Sequence, residues 1–275
     1  MPRDQTAVDL GYRLLFALMF VVMAPIGYWG LFHPADILEA VPFKMPPLHA
    51  RFVGGLYASG CVGLLLSFFT TRWIEVRTAN VIALVWTGWL LLVSLLHPRE
   101  FDPANRATWI WFFGYIVFPI LAGWLYWRDR QKLSSIPATI KESWISTYLF
   151  AQGIVLSALA VVLFLFASSA EQWCPWKIST FLAQLYSGPL LAYGLASLSI
   201  SRSRNWQDAR LALAAMAAFC VLSLLASLQH TPLFVFWAPS TVLWFGAFTA
   251  AAVILSYLTV RAYTAPLADG VPVSG

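Results

Sequence analysis

Trp73–His97 reads WIEVRTANVIALVWTGWLLLVSLLH, and Trp206–His230 reads WQDARLALAAMAAFCVLSLLASLQH. Each stretch opens on a tryptophan, has an acid two residues on and an arginine two beyond that, continues as an apolar run and closes on a histidine. A hydrocarbon core about 30 Å thick needs roughly 20 apolar residues of helix, so each stretch predicts a membrane span with charge only at its ends. The acids, Glu75 and Asp208, fall where a helix N-terminus favours negative charge, and Trp73 and Trp206 fall at the interface level.

The displacement that carries Trp73 onto Trp206 also sets Pro42-Phe43-Lys44 on Pro175-Trp176-Lys177, Ala50 on Ala183 and Gly55 on Gly188, with no gap. Apolar helices resemble one another by composition alone, so the polar and aromatic coincidences carry the argument for an internal repeat. One copy holds four spans, an even number, and the second copy therefore enters the membrane from the same side as the first. The expected fold is all-α: a polytopic membrane protein of eight transmembrane helices, built from two parallel four-helix repeats. They are related by a pseudo-two-fold axis along the membrane normal, unlike inverted repeats with an axis in the membrane plane.

Composition agrees. Of 275 residues, 60% are hydrophobic and 11% charged, with a mean hydropathy of +0.73; a soluble domain carries about a quarter charged residues. This excludes a soluble globular protein, a disordered chain and a nucleic-acid binder, despite the net charge of +5. The eight expected spans are Gly11–Phe32, Arg51–Thr70, Thr78–His97, Ala107–Trp127, Tyr148–Ser168, Phe181–Ile200, Asp208–Gln229 and Thr241–Ala262. They are too long and too evenly apolar for barrel strands. The first is too long for the apolar region of a signal peptide and is expected to remain as an anchor. The organisation is then a first repeat over 1–132, a cytoplasmic linker over 133–147, a second repeat over 148–263 and a flexible cytoplasmic tail over 264–275.

Twelve of the 17 lysines and arginines, from Arg3 and Arg13 through Lys132 to Arg261, fall on the side of the N-terminus; Lys44, Arg51, Arg99, Arg106 and Lys177 fall on the other. The positive-inside rule makes both termini cytoplasmic, in a plasma membrane or bacterial inner membrane. Belts of tryptophan accompany this orientation: Trp29, Trp109, Trp111, Trp173, Trp237 and Trp244 outside, Trp124, Trp127, Trp144 and Trp206 inside. Cys61 and Cys220 lie within spans and Cys174 alone outside, so no disulfide framework is expected.

Small residues recur every four positions as Gly55, Ser59 and Gly63 in the second span, and as Gly188, Ala192 and Ala196 in the sixth. Such faces let helices approach closely where lipid supplies no hydrophobic drive, and they are the expected packing seam, against close neighbours or against each other. The histidines, His33, His49, His97 and His230, all fall toward the outer face. Two readings fit them. Together with Asp36, Glu39, Glu100, Asp102 or Glu171 they could ligate a metal or haem. Alternatively His97 and His230, each followed within two residues by Pro98 and Pro232, cap the ends of their helices, which explains them with less. No cofactor is favoured.

Ligand or lipid candidates are the interfacial Lys44 and Lys177, which can meet an anionic head group, the deep Trp86 and Trp89, and the mid-span polar groups Tyr115 and Gln152. No charged residue lies near the middle of any span, which argues against an ion-driven transporter with a buried carboxylate. No glycine-rich phosphate loop exists, so no nucleotide is expected. The sequence reading is an accessory or scaffold protein that binds lipid, another lipophilic molecule or a membrane-protein partner. The alternatives are a carrier or channel for a small neutral or lipophilic solute, and a membrane enzyme using the outer histidines and carboxylates.

Overall fold

The computed structural model describes residues 7–130 and 138–265, with the Glu171 side chain left out. Arg3, Lys132, the linker over 133–137 and the tail from 266 therefore lie outside the described residues. The chain is helical: α1 (Leu10–Phe32), α2 (Pro47–Phe69), α3 (Trp73–Leu96), α4 (Arg106–Asp129), α5 (Ser143–Leu165), a single turn α6 (Ala170–Trp173), α7 (Thr180–Ser203), α8 (Trp206–Leu228) and α9 (Pro239–Thr264). The helix starts Leu10, Pro47, Trp73 and Arg106 recur as Ser143, Thr180, Trp206 and Pro239, each at the interval that separates Trp73 from Trp206. Short 3-10 turns at Pro98–Glu100 and Thr231–Leu233 follow the same interval. α5 begins at Ser143, inside the stretch expected as linker.

Local chemistry sets these ends. Asp9, Asn105, Ser179 and Asn205 accept backbone N–H groups in the first turns of α1, α4, α7 and α8, satisfying donors that a helix start otherwise leaves unpaired. Prolines occupy the first turns of α2 and α9, where a missing N–H costs nothing. α7 ends on Arg204 in the left-handed region (φ 48°), whose carbonyl accepts the N–H of both Thr139 and Ile140, at 2.8 and 2.7 Å.

Among the described residues, seven helices are long and apolar enough to cross a membrane; α7, with 24 residues, is not among them. The eight-span count expected from sequence therefore stands at seven by length and composition. The exception has a physical reason: 16 of the 24 residues of α7 are buried, against five of 26 in α9. An enclosed helix packs against protein rather than lipid and can carry Gln184, Ser187, Ser197 and Ser201. α2, α3, α7 and α8 form the centre, with α2 packed on α8 and α3 on α7; α1 lies on α2, α5 on α7, α4 on α3 and α9 on α8.

The small-residue faces of α2 and α7 each meet a neighbour other than one another. A Cβ on Gly55 would lie 3.3 Å from Leu222 and one on Gly63 3.4 Å from Ala215, both on α8; a Cβ on Gly188 would lie 3.3 Å from Trp89 on α3. Ala192 and Ala196 are buried on α7, and of these small residues Ser59 reaches across from α2 to α7, accepting a hydrogen bond from Tyr193 (2.9 Å) while donating to the Leu56 carbonyl. The tightest crossings lie elsewhere, at Gly30 with Gly54 (α1–α2) and Gly153 with Gly194 (α5–α7), where backbone meets backbone and a Cβ would fall 2.5–2.9 Å from the facing chain.

Candidate functional site

At the end of the bundle where α1 begins, two carboxylates are buried. Asp208 on α8 accepts from Arg77 on α3, with Nε 3.0 Å from Oδ1, and from the hydroxyls of Thr78 (2.6 Å) and Ser203 (2.7 Å). Glu75 on α3 accepts from Arg210 on α8 and from the hydroxyl of Thr70. Arg77 and Arg210, Glu75 and Asp208, and Thr70 and Ser203 are each separated by the Trp73-to-Trp206 interval, so the ion pairs and the Thr70 and Ser203 bonds are counterparts, while the Thr78 bond has none because Leu211 stands at the matching position. A buried ion pair persists only where further hydrogen bonds offset desolvation, and both carboxylates have them.

The opposite end is closed by histidines. Arg51 on α2 can only donate, so the Nε2 of His230, 2.6 Å away, accepts. His97 makes the counterpart bond to Gln184 on α7, 2.5 Å away, and the Gln184 amide donates to the Phe164 carbonyl, leaving its oxygen to accept from His97 Nε2. Arg51 and Gln184 are again separated by that interval. Burial, followed by the Arg51 charge, pushes His230 below the ordinary histidine range. His49 donates from Nε2 to the Lys177 carbonyl (2.8 Å) and accepts at Nδ1 from Tyr186 (2.7 Å); His33 lies 3.3 Å from the Tyr28 hydroxyl and packs on the Trp29 ring. Among the described residues no three His, Cys, Asp or Glu side chains come together to hold a metal. The four histidines are spent on separate contacts.

The Pro-aromatic-Lys elements leave Lys44 and Lys177 exposed, but their rings turn inward instead of lying at the headgroup level. Phe43 stands edge-on to Phe101 and Trp111, and Trp176 edge-on to Phe234 and Trp244. Trp111 and Trp244 accordingly leave the expected outer belt and bond Ser94 (2.9 Å) and Ser227 (3.0 Å). Trp206, expected in the inner belt, is also buried. Ala35–Val41, an apolar-periodic stretch, forms a 3-10 turn over Pro34–Glu39 with Ile37 and Val41 buried. Burial raises the Cys174 thiol to about 11.

A cavity of about 340 Å³ lies between α1 and α4. Val21, Val22, Met23, Pro25 and Ile26 wall it on one side, Ile110, Trp111, Gly114 and Phe118 on the other, with Glu39 and Ala40 contributed by the turn after α1. Its polar groups are Glu39 and the hydroxyls of Tyr57 and Tyr115, which hydrogen-bond to each other. Val21 and Ile110 also stand exposed on the outer surface of the bundle. Met23 is shared with a smaller cavity of about 40 Å³ lined by Met19, Gly60, Trp86 and Tyr193.

Of the ligand candidates, Tyr115 and Trp86 thus line cavities. Trp89 instead donates to Ser187 (2.8 Å) and packs on Phe164, and Gln152 reaches Ser197 (3.2 Å) between α5 and α7. Sequence reasoning placed Glu39 with the outer histidines as a possible metal ligand, and missed Met23 and the pairing of Tyr57 with Tyr115. A signal was present. The displacement that carries Trp73 onto Trp206 sets Tyr57 and Tyr115 on Leu190 and Phe248, and Glu39 on Gln172, so the two hydroxyls and the charge of this cavity are what the second half lacks. Comparison with protein-family models, with curated proteins and with solved structures finds no match.

Proposed function

We propose that this chain is a tandem duplication of a four-helix unit, with α7 as the eighth span and the halves parallel about an axis along the membrane normal. In this reading it serves as a membrane-embedded holder of a lipophilic molecule, an accessory or scaffold protein. Support for the axis comes from reciprocity. Glu75 and Asp208 share one end and His97 and His230 the other, each bonded to the opposite half, whereas inverted repeats would carry such mates to opposite ends. α7 enters the bilayer on this reading because its polar side chains bond to α3 and α5 and face little lipid. The lysine and arginine distribution makes the end carrying the termini cytoplasmic, in a plasma or bacterial inner membrane.

The observation that carries the function is the cavity between α1 and α4: a pocket of ligand size with apolar walls, reached from a lipid-facing surface, and with few polar groups to fix orientation. The test is extraction in a polymer that retains native lipid, followed by mass spectrometry of what remains bound. A stoichiometric lipophile that is lost when Gly114→Leu fills the cavity is the expected result; a chain that always emerges bare overturns the reading.

A carrier is the second reading, favoured by the two unlike closures between the halves, ion pairs at one end and histidine bonds at the other. Releasing one while keeping the other would expose the interior to a single side. Flux of neutral solutes in proteoliposomes, raised by Asp208→Asn, is what that reading requires.

A further inference from the structure

The hydrogen atoms of the cavity's buried polar groups do not balance. Tyr57 on α2 and Tyr115 on α4 are both buried, and among the described residues each hydroxyl has the other as its partner. Two phenols carry two protons, one of which fills the bond between the oxygens. The second has no acceptor. Trp86 on α3, edge-on to Tyr57 with ring centroids 6.0 Å apart, is also buried, and its indole N–H has no partner among the described residues. Tryptophan offers no acceptor of its own. Besides Glu39, which is exposed on the turn after α1, and Trp111 and Tyr193, whose hydrogens go to Ser94 and Ser59, the surrounding side chains are methionine, proline, glycine, aliphatic and phenylalanine, none of which accepts a strong hydrogen bond. A buried donor left unbonded is the costly state, while a bonded one contributes modestly. The buried side of the cavity, with the smaller one that Trp86 lines beside it, therefore has a surplus of donors.

We infer that the cavity between α1 and α4 selects a lipophile whose polar end is a bare acceptor, a carbonyl of the ketone, ester or quinone kind, over an alcohol or a plain hydrocarbon, and holds one such molecule per chain. This rests on the reading of the cavity as a lipophile site. A carbonyl oxygen takes the spare tyrosine proton and brings no donor of its own. An alcohol makes the same bond but adds a new proton that itself needs an acceptor. The single stoichiometry follows from Leu190 and Phe248, which occupy the positions matching Tyr57 and Tyr115 in the second half and carry no hydroxyl.

The experiment uses three probes of one chain length, 2-undecanone, 2-undecanol and undecane, added to the full chain in detergent while the thermal midpoint is followed. Binding to the folded state raises the midpoint in proportion to affinity and concentration. The ketone is expected to bind about fivefold more tightly than the alkane, the advantage of one hydrogen bond made by an otherwise unpaired donor, with the alcohol between them and saturation at one ketone per chain. In the double variant Tyr57→Phe with Tyr115→Phe the ketone should fall to the level of the alkane. That variant keeps the ring volumes and sees the same micelle, so differences in partitioning cancel. Equal shifts for all three probes on the unaltered chain overturn the carbonyl preference while leaving the lipophile site standing. A ketone advantage that survives in the double phenylalanine variant overturns the role of the tyrosines. No shift with any probe, together with a chain that extracts bare, overturns both this inference and the reading beneath it.

Discussion

Arg77 on α3 holds Asp208 on α8 through two N–H groups, across the boundary between the two halves of the chain, and Asp208 is fully buried. The counterpart bond runs the other way, from Arg210 on α8 to Glu75 on α3. Two such bonds in opposite senses clamp α3 to α8 against both sliding and rotation.

Removing one partner of a buried pair strands the other. Asp208→Asn leaves the Arg77 guanidinium, 13% exposed, without its counter-charge, and the expected loss is about 3–5 kcal/mol. The exposed pair Arg261–Glu142 is screened by solvent, so Glu142→Gln should leave the melting midpoint unchanged. Thermal denaturation in one detergent compares the two; equal midpoints for Asp208→Asn and the unaltered chain would falsify the clamp.

Backbone contact at the α1–α2 crossing makes Gly54 intolerant. A Cβ there would lie 2.6 Å from the Leu31 nitrogen and 2.7 Å from the Gly30 carbonyl carbon, so Gly54→Ala must part the helices, at about 1–3 kcal/mol. Gly246 on α9 faces open space, and Gly246→Ala should gain up to about 1 kcal/mol from helix propensity. A melt in which both variants shift in the same direction would contradict these packing assignments.

His230 confers pH dependence. Its Nε2 accepts from Arg51, and burial with the Arg51 charge lowers its proton affinity. The stability it contributes is therefore fully present above the ordinary histidine value of about 6.5 and is lost as pH falls through the depressed folded value. The melting midpoint should fall as pH is lowered from 7.5 to 5, and His230→Gln should flatten that part of the curve. A slope identical in the variant would assign the dependence to other groups.

Cys174 should react slowly. With its thiol raised from 9 to about 11 by burial, the thiolate fraction at neutral pH is about a hundredfold below that of an ordinary thiol, and thiolate is the reactive species. Maleimide labelling should climb tenfold per pH unit between 7 and 9; fast labelling at pH 7 would show the side chain to be freely exposed.

Much of the helical framework was legible because its signals are local. Glu75 and Asp208 mark helix starts in the first turn after Trp73 and Trp206, and Pro98 and Pro232 announce ends. The apolar runs between them are long enough to need no arbitration against strands. α7 is where that logic weakens: its serines and Gln184 lower its hydropathy, and only the neighbours that bury them account for the composition. The tryptophans misled for a related reason. Trp111 and Trp244 have belt-like positions in the chain, but a serine one helix away offers each indole N–H a better partner than the interface.

The site was less legible. Tyr115 and Trp86 could be singled out as polar or deep, yet nothing near Tyr57 in sequence says that its hydroxyl meets Tyr115, 58 residues on. His97 and His230 looked alike and turn out to play opposite hydrogen-bonding roles, donor to Gln184 and acceptor from Arg51, because the residues they face differ.

Sequence alone determined an all-helical membrane chain, the positions of its helices and the constant interval at which they recur, since hydropathy, capping and spacing are properties of neighbouring residues. Tertiary structure alone decided that α2 meets α8 and α7 meets α3, that the small-residue faces serve those contacts, and that a cavity remains between α1 and α4. Space between helices depends on which faces touch and how closely their backbones cross, and those quantities are set by residues tens to hundreds of positions apart.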